Sequence, residues 1–230
     1  MANKKKNSNY VTEKTLAKKA AEEKKAADIK AKQTRNTVIV SVLAALLVTA
    51  AVIVGFITGV LGYHPEATSH VSIVLDDGTT LHVELYGDDA PKTVANFEKL
   101  AGASYFKGRS ILSYDNGAIH FGDDDKANSS QGVTGEFKEN GVKNKVSFTR
   151  GTIVMERGED YDSGYGQFFI LTEDKPELEG KYAAFGCVTE GLDKLIETLE
   201  SGKVYYEDGS HGRITAGAPT ITSTSTHASH

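Results

Sequence analysis

Few residue sets in this chain have the spacing that bond-making chemistry needs. The single cysteine, Cys187, lies between Gly186 and Val188 in an apolar run. A free thiol there packs as a small hydrophobe, and nothing beside it argues for a nucleophile. One cysteine also excludes an internal disulfide, so the folded part must be held by its own core. Ser113 and Ser163 have no His/Asp companion pattern, which leaves a hydrolase without support. The seven histidines are scattered without metal-ligand spacing. Asp123-Asp-Asp125 and Glu159-Asp-Tyr-Asp162 are rich in oxygen ligands. Their spacing matches no calcium loop, so they read as solvated acidic loops. No metal and no cofactor is expected. What remains is chemistry without covalent change, in which shape and hydrogen bonding do the work.

The elements that position such a site are divided first by charge. The first 36 residues hold 11 Lys and Arg against 4 acids, a net +7; the whole chain carries −5, which leaves −12 on residues 37–230. From Thr37 to Tyr63 there is no charged residue. A bilayer core needs roughly 20 apolar helical residues, and this run exceeds that. A cleaved signal peptide would have a shorter basic start, a shorter apolar run and a small-x-small cleavage site. A soluble core helix would show a polar face. Lys30, Lys32 and Arg35 flank the run on its N-terminal side, so the positive-inside rule puts the head in the cytoplasm and the body outside. The expected organisation is a basic cytoplasmic segment at 1–36, a transmembrane helix at 37–62, a linker at 63–70 and a folded domain at 71–227. The protein would then be a single-pass cell-membrane protein with an extracytoplasmic C-terminal domain. Residues 1–36 are Ala/Lys/Glu-rich and predict a solvated helix from about Thr12. They lack the aromatic interleaving or motif of a nucleic-acid binder, and no nucleic acid is expected as a partner.

Within the domain, Val71–Leu75 and Thr80–Tyr86 are β-rich, and Asp77-Gly78 between them is a hairpin signal. Ala90 to Leu100 predicts a helix with Pro91 in its first turn; Val94, Phe97, Leu100 and Ala101 form one apolar face. Gly102 to Lys145 is Gly-rich and irregular, with short strands. Strand-like runs return at Gly151–Met155, Gln167–Leu171 and Tyr182–Val188. A second helix is marked at Gly191–Ser201 by Leu192, Leu195, Ile196 and Leu199, with Gly202 as its stop. The tail from Ala218 to His227 reads as a last strand. Many short strands with two helices suggest a β-barrel with helical caps.

Several blocks, in order, resemble the cyclophilin-type peptidyl-prolyl isomerases. They are Leu85-Tyr86 with Ala90-Pro-Lys-Thr-Val-Ala-Asn-Phe97; Tyr105-Phe-Lys-Gly108; Gly151-Thr-Ile-Val-Met155; Gln167-Phe-Phe-Ile170; and Glu179-Gly-Lys-Tyr-Ala-Ala-Phe-Gly186. The resemblance covers roughly Val71 to Leu199. It implies a mainly β fold, a closed eight-stranded antiparallel barrel capped by two helices, preceded here by the N-terminal helix and the transmembrane helix. It also implies cis/trans isomerisation of X–Pro bonds in proline-containing polypeptides, in the service of protein folding. The uncatalysed barrier is about 18–20 kcal/mol. Family members hold the proline ring in an apolar pocket and use an arginine to donate toward the prolyl nitrogen as the amide twists, a preorganised electrostatic stabilisation.

Aligned without a gap on Gly108, Gly117, Gly122 and Asp124, this sequence departs from the family pattern. Ser113 stands at the arginine position, Ala118-Ile119 at the Phe-Met pair of the proline pocket, and Phe121 at the glutamine that binds substrate backbone. Glu156 replaces the alanine of the substrate strand, Glu177 a tryptophan and Tyr182 a histidine. By the same resemblance Gln167 remains as a polar contact, Phe169 and Leu178 remain as pocket walls, and Ile119 is an apolar substitute. Arg157, at the expected cleft rim, is the first choice for a substitute donor, ahead of Arg109 and Arg150. His120 lies beside this site, where it would either add pH sensitivity or be a plain loop histidine. The expected activity is weak isomerisation; the alternative is a non-catalytic module that binds proline peptides or envelope proteins.

Overall fold

The computed structural model describes residues 2–57, 63–122, 132–207 and 212–228. The chain forms two compact units, Met1–Gly62 and Tyr63–His230. In the first, α1 (Ala2–Ile57) is one continuous helix. The expected juxtamembrane helix and apolar run are thus a single element, because neither Gly nor Pro interrupts the sequence before Gly55. Thr34, Thr37 and Thr49 donate their hydroxyls to the carbonyls of Lys30, Gln33 and Leu46 at 2.9–3.0 Å, which satisfies these polar groups within the helix. Val38, Val40, Leu43 and Leu47 are exposed. The stretch Lys18–Ala50 is long and apolar enough to cross a membrane, by length and composition.

The second unit opens with the hairpin β1 (Ser69–Leu75) and β2 (Thr80–Leu85). Gly78 takes φ +80° in its turn, and the Asp77 carboxylate accepts from the Thr79 amide at 2.8 Å and hydroxyl at 2.9 Å. Burial pushes the Asp77 carboxyl up, but the bonds from Thr79 and Thr198 outweigh it and leave the group below its ordinary value. α2 (Pro91–Gly102) follows, then β3 (Ser110–Asp115) and β4 (Ala118–Gly122), then β5 (Thr152–Met155) and β6 (Phe168–Leu171). β7 (Ala184–Glu190), α3 (Leu192–Glu200), the short β8 (Tyr205–Tyr206), β9 (Gly212–Ala216) and β10 (Ile221–Ala228) complete it.

All pairings are antiparallel, in the order β10-β1-β2-β7-β5-β6-β4-β3-β9-β8. The sheet is mainly β with α2 and α3 as caps, as expected, but it has ten strands rather than eight. The ladder is also not continuous around the ring. β3 and β10 meet at one bridge, Ser110↔Thr220, flanked by the Gly108 amide to the Ile221 carbonyl and the Ile221 amide to the Arg109 carbonyl. Farther along, the β3 edge pairs with β9 through Ser113↔Arg213 and Tyr114↔Gly212. The β8–β9 hairpin occupies edge positions that a closed eight-stranded ring would give to β10.

The core sits inside this sheet. Phe97 of α2 packs against Phe106, Phe168 and Phe185, with ring centroids 5.0, 5.3 and 5.1 Å away. Leu192, Leu195 and Leu199 of α3 are buried, as their spacing predicts. β5 and β6 are buried on both faces. Ile153, Met155, Phe168 and Ile170 point inward; Val154, Phe169 and Leu171 form a second apolar cluster on the outer face with Val146 and Phe148. Half-buried Cys187 packs against that cluster, and burial pushes its thiol up.

α2 has no capping side chain at Ala90. Its N-terminus is held instead by Glu136, a carboxylate only 3% exposed. Glu136 accepts from the Lys92 amide at 3.0 Å and from the Thr93 amide and hydroxyl, both at 2.8 Å. It satisfies donors that helix geometry leaves open and meets the positive end of the helix dipole. Glu136→Ala should therefore cost about 2–3 kcal/mol, since buried donors lose their acceptor. Urea unfolding followed by tyrosine fluorescence reads this; an unchanged midpoint would contradict the assignment. Cys187 should react with iodoacetamide about tenfold more slowly in the native chain than in the unfolded one at mildly alkaline pH, because less of it is thiolate.

Candidate functional site

The β3–β4 hairpin builds the first wall. Its turn uses positive φ at Asn116 (+49°) and Gly117 (+74°), the conformation of a two-residue hairpin loop. The register shifts once, between Ile111 and Ser113, so that Ile111 faces Phe121 and Ser113 faces His120. β4 then alternates. Ile119 is 0% exposed and Phe121 1%, both in the inner core. Phe121 stacks on Phe168 at 5.0 Å and 7°. Ala118 and His120 face outward: Ala118 joins the second apolar cluster, and His120 tilts over Phe169 at 5.2 Å.

The expected groove residues fall into two adjoining hollows. A cleft of about 700 Å³ is lined by Leu112, Ser113, Phe121, Gln167 and the backbone after β5. A smaller hollow of about 370 Å³ is lined by Ala118, Phe169, Leu171, Leu178 and Tyr182. Ser113 and Gln167 thus lie together in the first, and Phe169 and Leu178 in the second, while Ile119 lies in the inner core. His120 and Glu156 line both hollows. The His120 Nδ1 lies 2.8 Å from the Glu156 Oε2, with the two side chains 27% and 29% exposed. Glu156 is itself fixed by its amide, which donates to the Gln167 carbonyl at 3.0 Å.

The arginines are engaged elsewhere. Arg157 donates Nε to the Lys181 carbonyl at 3.0 Å and Nη1 to the Gly158 carbonyl at 2.9 Å. Its guanidinium carbon lies 4.7, 4.8 and 5.2 Å from the rings of Tyr182, Tyr161 and Phe137. Arg157 borders the cleft half-exposed, with its guanidinium against these three rings. Arg150 pairs with Asp193, and Arg109 lies 3.8 Å over the Tyr105 ring. Of the acidic run at 159–162, Asp162 accepts from the Gly135 amide at 3.0 Å and from Asn140 at 2.8 Å, and these bonds hold its carboxyl below its ordinary value. That run is loop structure. The Asp123–Asp125 run lies outside the described residues.

The pairing of His120 with Glu156 does not follow from their separate places in the sequence. The available signal was strand alternation in Ala118-Ile-His-Phe121: a half-exposed histidine between two bulky apolar residues marks the outward face.

Residues 70–223 match the family described as cyclophilin type peptidyl-prolyl cis-trans isomerase/CLD. Over 134 residues the chain is 33% identical to peptidyl-prolyl cis-trans isomerase B of Bacillus subtilis (strain 168), covering 58% of this chain and 92% of that protein. It is 34% identical over 148 residues to a probable peptidyl-prolyl cis-trans isomerase of Brucella suis, covering 60% of this chain and 74% of that one. A solved cyclophilin-type isomerase from Cryptosporidium parvum, in the presence of the dipeptide Ala-Pro, superposes with a TM-score of 0.54 at 25% identity, covering 70% of this chain and 99% of that chain.

The Arg157 cage makes a stability prediction. Arg157→Ala should lower stability by about 1–2 kcal/mol through the lost cation–π contacts, read as a lower urea midpoint. A variant with unchanged stability and abolished peptide chemistry would show instead that the guanidinium works in the cleft.

Proposed function

This chain belongs to the cyclophilin-type peptidyl-prolyl cis-trans isomerase family, and from that premise we propose that its folded domain binds proline-containing polypeptides and isomerises X–Pro bonds weakly. One observation carries the reading: Phe169, Leu178 and Tyr182 line a hollow that adjoins the cleft holding Ser113 and Gln167. Phe169, Leu178 and Tyr182 offer apolar wall of the kind a prolyl ring needs, in a hollow that Asp115, Glu156, Lys175 and Glu177 also line. In the adjoining cleft lies Ser113, which the gapless resemblance puts at the family's arginine position. A hydroxyl on a short side chain cannot reach as a guanidinium does. Losing one preorganised donor costs on the order of 10²–10³ in rate. Gln167 in the cleft supplies a polar contact for peptide backbone.

The second reading, a binding module without turnover, draws support from the Arg157 contacts with three rings, which engage a guanidinium that borders the cleft. In both readings α1 anchors the domain in the cell membrane. Its basic flank supports a cytoplasmic N-terminus and an extracytoplasmic domain acting on emerging or envelope polypeptides.

Isomerisation of an Ala-Pro-Phe peptide by the full chain in detergent tests this. The expected rate is at least about 10²-fold below that of a family member with the arginine in place; a rate within about tenfold of such a member would refute weak catalysis. Phe169→Ala should weaken peptide binding, measured by calorimetry, about tenfold or more through lost apolar contact. Equal affinity would move the proline site elsewhere.

A further inference from the structure

We propose that His120 is the hydrogen-bond donor of this site and that Glu156 is its positioning residue. The inference rests on the proline-peptide reading above and names the group behind its residual turnover. β4 lies between β3 and β6, so His120 has a direct neighbour on each side. One is Ser113, its register partner on β3; the other is Phe169, its partner on β6. Side chains directly opposite in an antiparallel pair start about 4.5–5.5 Å apart. An imidazole on His120 therefore reaches into the space that a long side chain from position 113 would fill. It does so beside the wall of the proline hollow, with its ring tilted over Phe169. No other side chain assigned to the groove combines a strong donor with a place on both hollows.

Glu156 defines what the ring can do. With Nδ1 turned to the Glu156 carboxylate at 2.8 Å, that nitrogen carries a proton. Nε2 is then the atom that a bound peptide meets. In the neutral ring Nε2 is an acceptor and has the wrong polarity for a prolyl nitrogen whose lone pair is localising. In the imidazolium both nitrogens donate: Nδ1–H to Glu156 and Nε2–H to the twisted amide. No proton is transferred and no bond other than the rotating one is involved, so the donor acts by electrostatic stabilisation alone. The carboxylate at the former alanine position, otherwise an obstacle to a substrate carbonyl, thereby becomes the ring's counter-charge and orienting group.

Activity then follows the protonated ring and falls as pH rises. Other charges share its surroundings. Glu159 and Asp160 border the cleft, and Arg157 borders it with its guanidinium in the aromatic cage. Asp115, Glu177, the Tyr182 phenol and Lys175, the last paired with Glu173, border the smaller hollow. Each acts on the ring through space; only Glu156 is bonded to it among the described groups named here.

The test is cis/trans exchange of an Ala-Pro-Phe peptide measured by NMR without a protease, with the full chain in detergent from about pH 5.5 to 8.5, the range in which histidine titrates. The wild type should lose rate as pH rises. His120→Ala should lose about 10²-fold, or fall to the uncatalysed rate. His120→Gln, which keeps an N–H donor but not the titration, should retain part of the rate with a flat profile. Glu156→Gln should lower the rate while peptide affinity stays within about twofold, since the ring loses its orienting partner but the groove is not removed. A folded His120→Ala variant with wild-type rate, or a flat wild-type profile, overturns the proposal. If His120→Ala does not fold, the profile of His120→Gln decides, and a falling limb there overturns it equally. A wild type that binds the peptide without accelerating exchange overturns the donor and leaves the binding reading standing. Failure to bind at all overturns the binding reading as well.

Discussion

The groove depends on one buried carboxylate. Glu136 belongs to an irregular segment, yet it terminates α2 more firmly than any residue next to that helix does. By binding α2 it fixes its own neighbours. Phe137 enters the inner core and forms one side of the Arg157 cage. Gly135 is tied to Asp162, and Asn144 bonds the carbonyls of Glu136 and Ala184. Val146 and Phe148 then cover the outer face on which Phe169 and Leu171 lie. Helix, covering segment and outer face are held by a common set of bonds. The negative charge also sits where the helix dipole favours it, so burial here is compensated rather than merely tolerated.

The character of the site follows from strand alternation. A one-residue change in parity exchanges the two faces of a strand. With the parity seen here, Phe121 and Ile119 build the core and His120 faces the groove. The outward face there carries a linked histidine and carboxylate. The same alternation in β6 gives Phe168 to the core and Phe169 to the hollow.

Much of the fold was readable in the residues. Pro91 with its apolar stripe located α2; the 192/195/199 spacing located α3; Asp77-Gly78 located the first hairpin. These signals are local, and local spacing survives in sequence. The β8–β9 hairpin was not readable, because Tyr205-Tyr206 is too short for any period and β9 is largely exposed. Glu136 gave no sign of its role, since its partners at Lys92 and Thr93 are far away in the chain. The site was half readable. Phe169, Leu178, Gln167 and Ser113 occupy the two hollows, but a gapless alignment cannot register the irregularity between Ile111 and Ser113 that sets which face His120 takes.

The pairing of the domain's first strand with its last has a consequence for how the domain is made. β1 pairs along its whole length with β10, Ser69 with Ala228 and Leu75 with Ile221. During synthesis the first strand of the domain therefore waits for the last, with one edge exposed to any other extended chain. Such distant pairing makes for slow folding, since a long loop must close before its contacts can form. A chain whose own function is proposed to lie in helping others past a slow step is itself a slow-folding topology.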